Sequence, residues 1–85
     1  MSNFEKELKD LIQDTLRNIA YCEFNNMYSS KSYNEEINNH ECALSSLLTL
    51  ANNCNIDVQG LRGGCCGYVA SVEHYKDYNT KKDWW

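Results

Sequence analysis

Apolar residues recur along the first third of the chain at the spacing of an α-helix. Phe4, Leu8, Leu11, Ile12, Thr15, Leu16, Ile19 and Cys22 fall on one stripe at roughly 100° per residue. Glu5, Lys9, Asp10, Asp14, Arg17 and Asn18 fall outside it. The pattern predicts a helix over about residues 3–27. Ser2 or Asn3 can cap its start, and acids in the first turn suit the positive end of the helix dipole. A stripe about 140° wide fits one side of a packed bundle.

The periodicity lapses over Tyr28-Ser29-Ser30-Lys31-Ser32-Tyr33, which reads as a turn. Ser32 and Glu35 have the spacing of a capping box. A second helix is predicted over about residues 33–53. Ile37, His40, Ala43, Leu44, Leu47, Leu48, Leu50, Ala51 and Cys54 share its apolar face, and Asn38, Cys42, Ser45, Ser46, Thr49, Asn52 and Asn53 share the other. Its apolar arc of about 160° makes it the expected central helix. Asn52-Asn53 is the expected stop, because Asn tolerates the left-handed conformation of a helix end.

The cluster Gly60-Leu61-Arg62-Gly63-Gly64-Cys65-Cys66-Gly67 breaks the pattern. Leu61, Cys65, Tyr68, Val72, Tyr75 and Asn79 still share a helical face, against interior glycines that each cost about 1 kcal/mol. The rival is a glycine-rich loop followed by a helix or strand over about residues 68–78, since Tyr68, Ala70, Val72 and His74 alternate with more polar neighbours. Residues 79–85 read as a tail. The expected fold class is mainly α. It is a compact three-helix bundle forming a single domain over residues 1–85, with a short extra helix or a small strand pair near residues 57–75 as its variant.

Charge and chemistry narrow the function. The net charge is −4, distributed as −2 over residues 1–30, −3 over 31–60 and +1 over 61–85. This balance disfavours direct DNA binding, which rests on neutralising phosphates with Lys and Arg. It favours a basic partner surface. No apolar run approaches the roughly 20 residues of a membrane span. Met1-Ser2-Asn3-Phe4-Glu5-Lys6-Glu7 lacks the basic segment and apolar block of a signal peptide, so a cytoplasmic protein is expected.

The five cysteines, Cys22, Cys42, Cys54, Cys65 and Cys66, are odd in number and are expected to be reduced. Cys22 and Cys54 have core phase. There is no Cys-x-x-Cys pair, and His40 and Cys42 stand about 200° apart on a helix, so neither metal nor cofactor is expected. Cys65 or Cys66 with His74 is the one thiol–base pairing, at poor helical phase, and no enzyme is expected. The glycine cluster lacks the Lys-Ser/Thr ending of a phosphate loop. It reads as a turn joining two elements, a small-residue face for close packing, or a loop that grips an anion or partner.

Two resemblances bear on function. Leu48 to about Cys66, through Ala51, Ile56, Asp57 and Leu61, resembles the helix-turn-helix of small regulators. Its second helix would carry only Arg62 and be cut by glycines, which is poor equipment for reading bases. Short, acidic and without catalytic motifs, the chain as a whole resembles small phage-encoded inhibitors of bacterial defence, anti-CRISPR proteins among them. That resemblance implies steric inhibition of a protein partner, such as a bacterial nucleic-acid-binding defence complex, in the host cytoplasm.

The expected partner-binding residues are Glu35, Glu36 and Glu41, with Tyr28 and Tyr33 flanking the turn beside them. Aromatics gather off the main stripes at Tyr21, Phe24, Tyr28, Tyr33, Tyr78, Trp84 and Trp85, and Tyr78, Trp84 and Trp85 form a second expected anchor. A helix-turn-helix regulator and a zinc-stabilised interaction module are the alternatives, and a homodimer is compatible with each.

Overall fold

The computed structural model describes residues 3–75. Helix α1 spans Asn3–Tyr28 and helix α2 spans Asn34–Asn53. Strands β1 (Arg62–Cys65) and β2 (Tyr68–Ser71) form an antiparallel hairpin, followed by one helical turn over residues 72–75. The architecture is mainly helical, with two long helices and a small strand pair in place of the third helix of a bundle. The tail and the end of the expected third segment lie outside the described residues.

The core joins all these elements. Leu8, Ile12, Leu16 and Ile19 of α1 meet Leu44, Leu48 and Ala51 of α2, and Ala70, Val72 and Tyr75 close the far side. Leu47, Ile56, Val58 and Leu61 pack around them. The predicted stripes are broader than the buried ones. Phe4, Leu11 (54% exposed), Ala43, Leu50 and Cys54 face outward, whereas Ser45, assigned to the polar face, is buried.

The central element is α1, not α2. It packs against α2 and against both strands, while β1 and β2 otherwise pack mainly on each other. Two flanks of α1 make this possible. One carries the large aliphatic residues. The other runs through Gln13, Arg17 and the fully buried Ala20, and there the hairpin lies against the helix.

Gly63 explains the hairpin's position. A Cβ at that residue would sit 2.5 Å from the Gln13 carbonyl oxygen and 2.9 Å from the Arg17 Cα. Only a residue without a side chain allows this backbone-on-backbone approach. Gly63 pairs with Ala70 across the hairpin, and both are buried. The glycine cluster is neither a helix face nor a loop joining two elements: residues 62–65 form β1, Gly63 gives the close packing from a strand, and the turn shrinks to two residues. The turn is Cys66-Gly67, with φ of +58° and +92°. That is the type I′ geometry whose twist matches the flanking strands.

Helix ends depart from the expected signals. Ser32 forms no capping box. Its Oγ accepts from the Asn34 N–H at 3.3 Å, and Tyr33 occupies the N-cap without a side-chain cap. The left-handed residue that stops α2 is Asn55 (φ +58°), two positions after Asn53. The Ile56 N–H donates to the Ala51 carbonyl at 2.9 Å and the Asn55 N–H to the Asn52 carbonyl at 3.2 Å, the paired bonds of a Schellman motif. The chain then enters the hairpin, so β1 stands where the second helix of a helix-turn-helix would be.

Candidate protein-binding surface

Tyr21, Phe24 and Tyr28 follow one another on α1 at spacings of three and four, which places them on one helical stripe. That stripe lies opposite Ile12, Leu16 and Ile19. Tyr28 is 72% exposed and Tyr21 51%. Phe24 is half-buried because it has neighbours on two sides. Its ring lies 4.8 Å from that of Tyr28, tilted by 42°, and 6.0 Å from that of Tyr68 on β2, edge-on at 75°. Phe24 therefore joins helix and hairpin into one aromatic cluster, the exposed i,i+4 pair with Tyr28 adding about 0.2–0.5 kcal/mol.

Asn26 fixes the adjoining turn. Its Oδ1 accepts from the Tyr33 N–H at 2.6 Å, and its Nδ2 donates to the Asn34 Oδ1 at 2.8 Å. One side chain thus ties the end of α1 to the start of α2. Within the turn, the Lys31 N–H donates to the Ser29 Oγ at 3.1 Å, and the Lys31 ammonium lies 5.3 Å from the centre of the Tyr33 ring. Tyr33 is half-buried under that cation.

The three expected carboxylates do not form one patch. Glu35 faces solvent in the first turn of α2. Glu36 and Glu41 are half-buried and flank the apolar seam on its two sides. Burial, aided by Glu36 and Glu23, pushes the Cys22 thiol up. Burial, aided by Glu23 and Glu41, pushes the Tyr75 hydroxyl well above the ordinary tyrosine range. Glu36 and Glu41 thus belong to the rim of the core, and Glu35 is the expected carboxylate that stands clear of it.

Of the expected anchors, Tyr28 and Tyr33 lie where the turn joins the helices, and Tyr78, Trp84 and Trp85 fall outside the described residues. Phe24, Tyr68 and Tyr21 join the candidate surface without having been assigned to it. The signal for Tyr21 and Phe24 is their 21-24-28 spacing, out of phase with the core stripe. Tyr68 has no such signal, because its meeting with Phe24 depends on how the hairpin docks.

Elsewhere, Asp10, Gln13, Asp14, Arg17, Arg62, Gly63 and Gly64 line an open polar groove beside the hairpin, with Arg17 paired to Asp14. Cys65 and Cys66 sit at the hairpin tip. His74 lies beyond its base, three strand steps or roughly 10 Å along β2, and stacks edge-on against Tyr75 at 4.8 Å. Among the described residues no group of three or more His, Cys, Asp or Glu side chains could hold a metal ion. No described helix is long and apolar enough to cross a membrane. No family model, no curated protein and no solved structure matches the chain.

Proposed function

We propose that this chain is a non-catalytic binding protein that acts by covering a surface of a protein partner. The observation that carries the reading is Tyr28, 72% exposed yet held against Phe24, which Tyr68 braces from the other side. An aromatic side chain already ordered before binding loses little entropy on docking, and Tyr is enriched among the residues that dominate interface energy. Glu35 and the net charge of −4 add electrostatic steering toward a basic surface. A basic surface of that kind is what a nucleic-acid-binding complex presents. The resemblance to phage-encoded inhibitors such as anti-CRISPR proteins adds the proposed target class, a bacterial nucleic-acid-binding defence complex, and the proposed action, steric occlusion.

The test is affinity capture from bacterial lysate with the parent chain and with Phe24→Ala/Tyr28→Ala in parallel. A partner held by the parent and lost from the variant, with nucleic-acid binding by that partner blocked on addition of the chain, supports the reading. A captured partner retained equally by both proteins removes the aromatic surface from consideration. Retardation of duplex DNA by the chain alone at physiological salt would favour a regulator instead.

A further inference from the structure

The hairpin tip sets two thiols side by side. Cys65 ends β1 and Cys66 opens the two-residue turn, and their Sγ atoms lie 3.4 Å apart. Cys66 is exposed and Cys65 partly so. The fold itself does not call for a cysteine at residue 66. Its φ of +58° is a left-handed conformation that costs a residue with a Cβ roughly 1 kcal/mol or more, and Asn or Gly is favoured at this place in a type I′ turn. Being exposed, Cys66 adds little to packing either.

Three chemistries are open to such a pair, and geometry separates them. A disulfide between neighbours in sequence is strained, because Cα atoms joined by a trans peptide lie about 3.8 Å apart and disulfides want about 4.4–6.8 Å. Strained disulfides are readily reduced. A tetrahedral metal with metal–sulfur bonds of about 2.3 Å would hold two sulfurs about 3.8 Å apart and would want two further ligands. The described residues supply no third donor. A trivalent, pyramidal thiophile that carries its own third substituent needs only two sulfurs, and its narrower bond angle suits the 3.4 Å spacing.

We propose that Cys65 and Cys66 form a dithiol chelation site for a monosubstituted trivalent arsenical. The reaction is a condensation without change of oxidation state. The arsenic–oxygen bonds of an arsenoxide break, two arsenic–sulfur bonds form, and the oxide oxygen leaves as water with both thiol protons. The Cys65 thiol hydrogen-bonds to Cys66 and, with some desolvation, holds it above the ordinary thiol range. Cys66 therefore keeps its proton at rest, is a poor thiolate for disulfide exchange, and gives that proton up to the departing oxide. Cys65 pairs with Tyr68 across the hairpin, so the site borders the aromatic cluster, but chelation needs only the two sulfurs and does not rest on the proposed protein partner.

The test uses the reduced, folded chain and equimolar phenylarsine oxide, read by intact mass and by thiol count. One adduct per chain is expected, with two thiols consumed. It should survive excess monothiol and be released by a dithiol. Loss of either sulfur ends chelation, so Cys65→Ser and Cys66→Ser should each lose retention by about 100-fold or more. Cys42→Ser and Cys54→Ser, which alter exposed thiols elsewhere, should retain the adduct fully. Cys66→Asn guards against misfolding, since Asn suits the turn, and it too should lose retention. An adduct stripped by monothiol, or retained equally by Cys66→Asn, overturns the proposal. So does formation of a Cys65–Cys66 disulfide in oxidised glutathione at cytosolic poise, because it contradicts the strain argument.

Discussion

Gly63 of β1 and Arg17 of α1 touch through their backbones. A Cβ on Gly63 would come within 2.9 Å of the Arg17 Cα and closer still to its amide nitrogen. The obstacle is helix backbone, which cannot swing away as a side-chain end can. Gly63→Ala should therefore lift the hairpin from α1 and cost about 3 kcal/mol, the upper part of the range for overpacking. Gly64→Ala should cost less, since its Cβ would meet the Tyr68 carbonyl at 3.2 Å and a Val69 methyl at 3.3 Å, where small shifts suffice. Urea unfolding of both variants checks this. Equal midpoints for the two would show that the hairpin is not held by this contact.

The opposite sign is expected at the tip. Cys66→Asn creates Asn-Gly at the two turn positions, φ +58° and +92°, where that pair is preferred. A gain of about 0.5–1 kcal/mol corresponds to a few degrees in Tm for a chain of this size. Thermal unfolding under reducing conditions measures it, and a lower Tm would mean that Cys66 stabilises the turn in a way its backbone angle does not suggest.

Gly63 marks the limit of what was legible in the sequence. Both helices could be read because their apolar residues repeat locally, and α1 and α2 end within one residue of expectation. Gly63 is small because of Gln13 and Arg17, about fifty positions away, and no local pattern carries that information. The same blindness misplaced the centre of the molecule. The broad arc of α2 suggested two packing partners, yet the hairpin chose the flank of α1 where Ala20 and the backbone let it approach. At the candidate surface, the position of Tyr28 and Tyr33 beside the turn could be read from the sequence around it. Phe24's role could not, because it depends on Tyr68 arriving from β2.

Asn26 should be the weak point of the helix–helix connection. Its carboxamide satisfies the Tyr33 N–H and binds the Asn34 side chain. Asn26→Ala leaves a half-buried N–H without its acceptor and should cost about 1–2 kcal/mol. Amide exchange at Tyr33 should quicken while exchange in the middle of α1 follows only the global loss. Unchanged protection at Tyr33 would place its acceptor elsewhere.

Alkaline pH should unfold the chain early. An ordinary tyrosine ionises near pH 10, and burial, with Glu23 and Glu41, raises Tyr75 above that in the folded state. Above about pH 10 the unfolded chain loses this proton first, so the folded state holds more protons and stability falls as pH rises. Below about pH 10 the contribution is complete. Buried Cys22 acts in the same direction from about pH 9. Tyr75→Phe should flatten the decline of Tm above about pH 10 and leave the Cys22 part near pH 9. Parallel curves for parent and variant would mean that Tyr75 ionises equally in both states.

The proposed binding surface makes the sharpest demand, because its residues differ in what else they support. Tyr28 is exposed, so Tyr28→Ala should change stability by no more than about 0.5–1 kcal/mol while weakening partner binding by about 2 kcal/mol, roughly 30-fold. Phe24→Ala also removes the brace to Tyr68 and should reduce both binding and stability. Glu35 stands clear of the core, and Glu35→Lys should act mainly on the association rate, with an effect that shrinks as salt screens the charge. A cation in the first turn of α2 opposes the helix dipole, so the variant should also lose about 0.3–1 kcal/mol of stability, and Glu35→Gln separates that loss from steering. Glu36 is unsuited to the comparison, because its carboxylate lies beside buried Cys22 and its reversal disturbs the rim of the core. Stopped-flow association at two salt concentrations, with denaturant midpoints for every variant, tells these effects apart. If Tyr28→Ala binds with parental affinity and Glu35→Lys associates at the parental rate in low salt, the partner docks elsewhere. The polar groove of Asp10, Asp14, Arg17 and Arg62 beside the hairpin then becomes the surface to mutate.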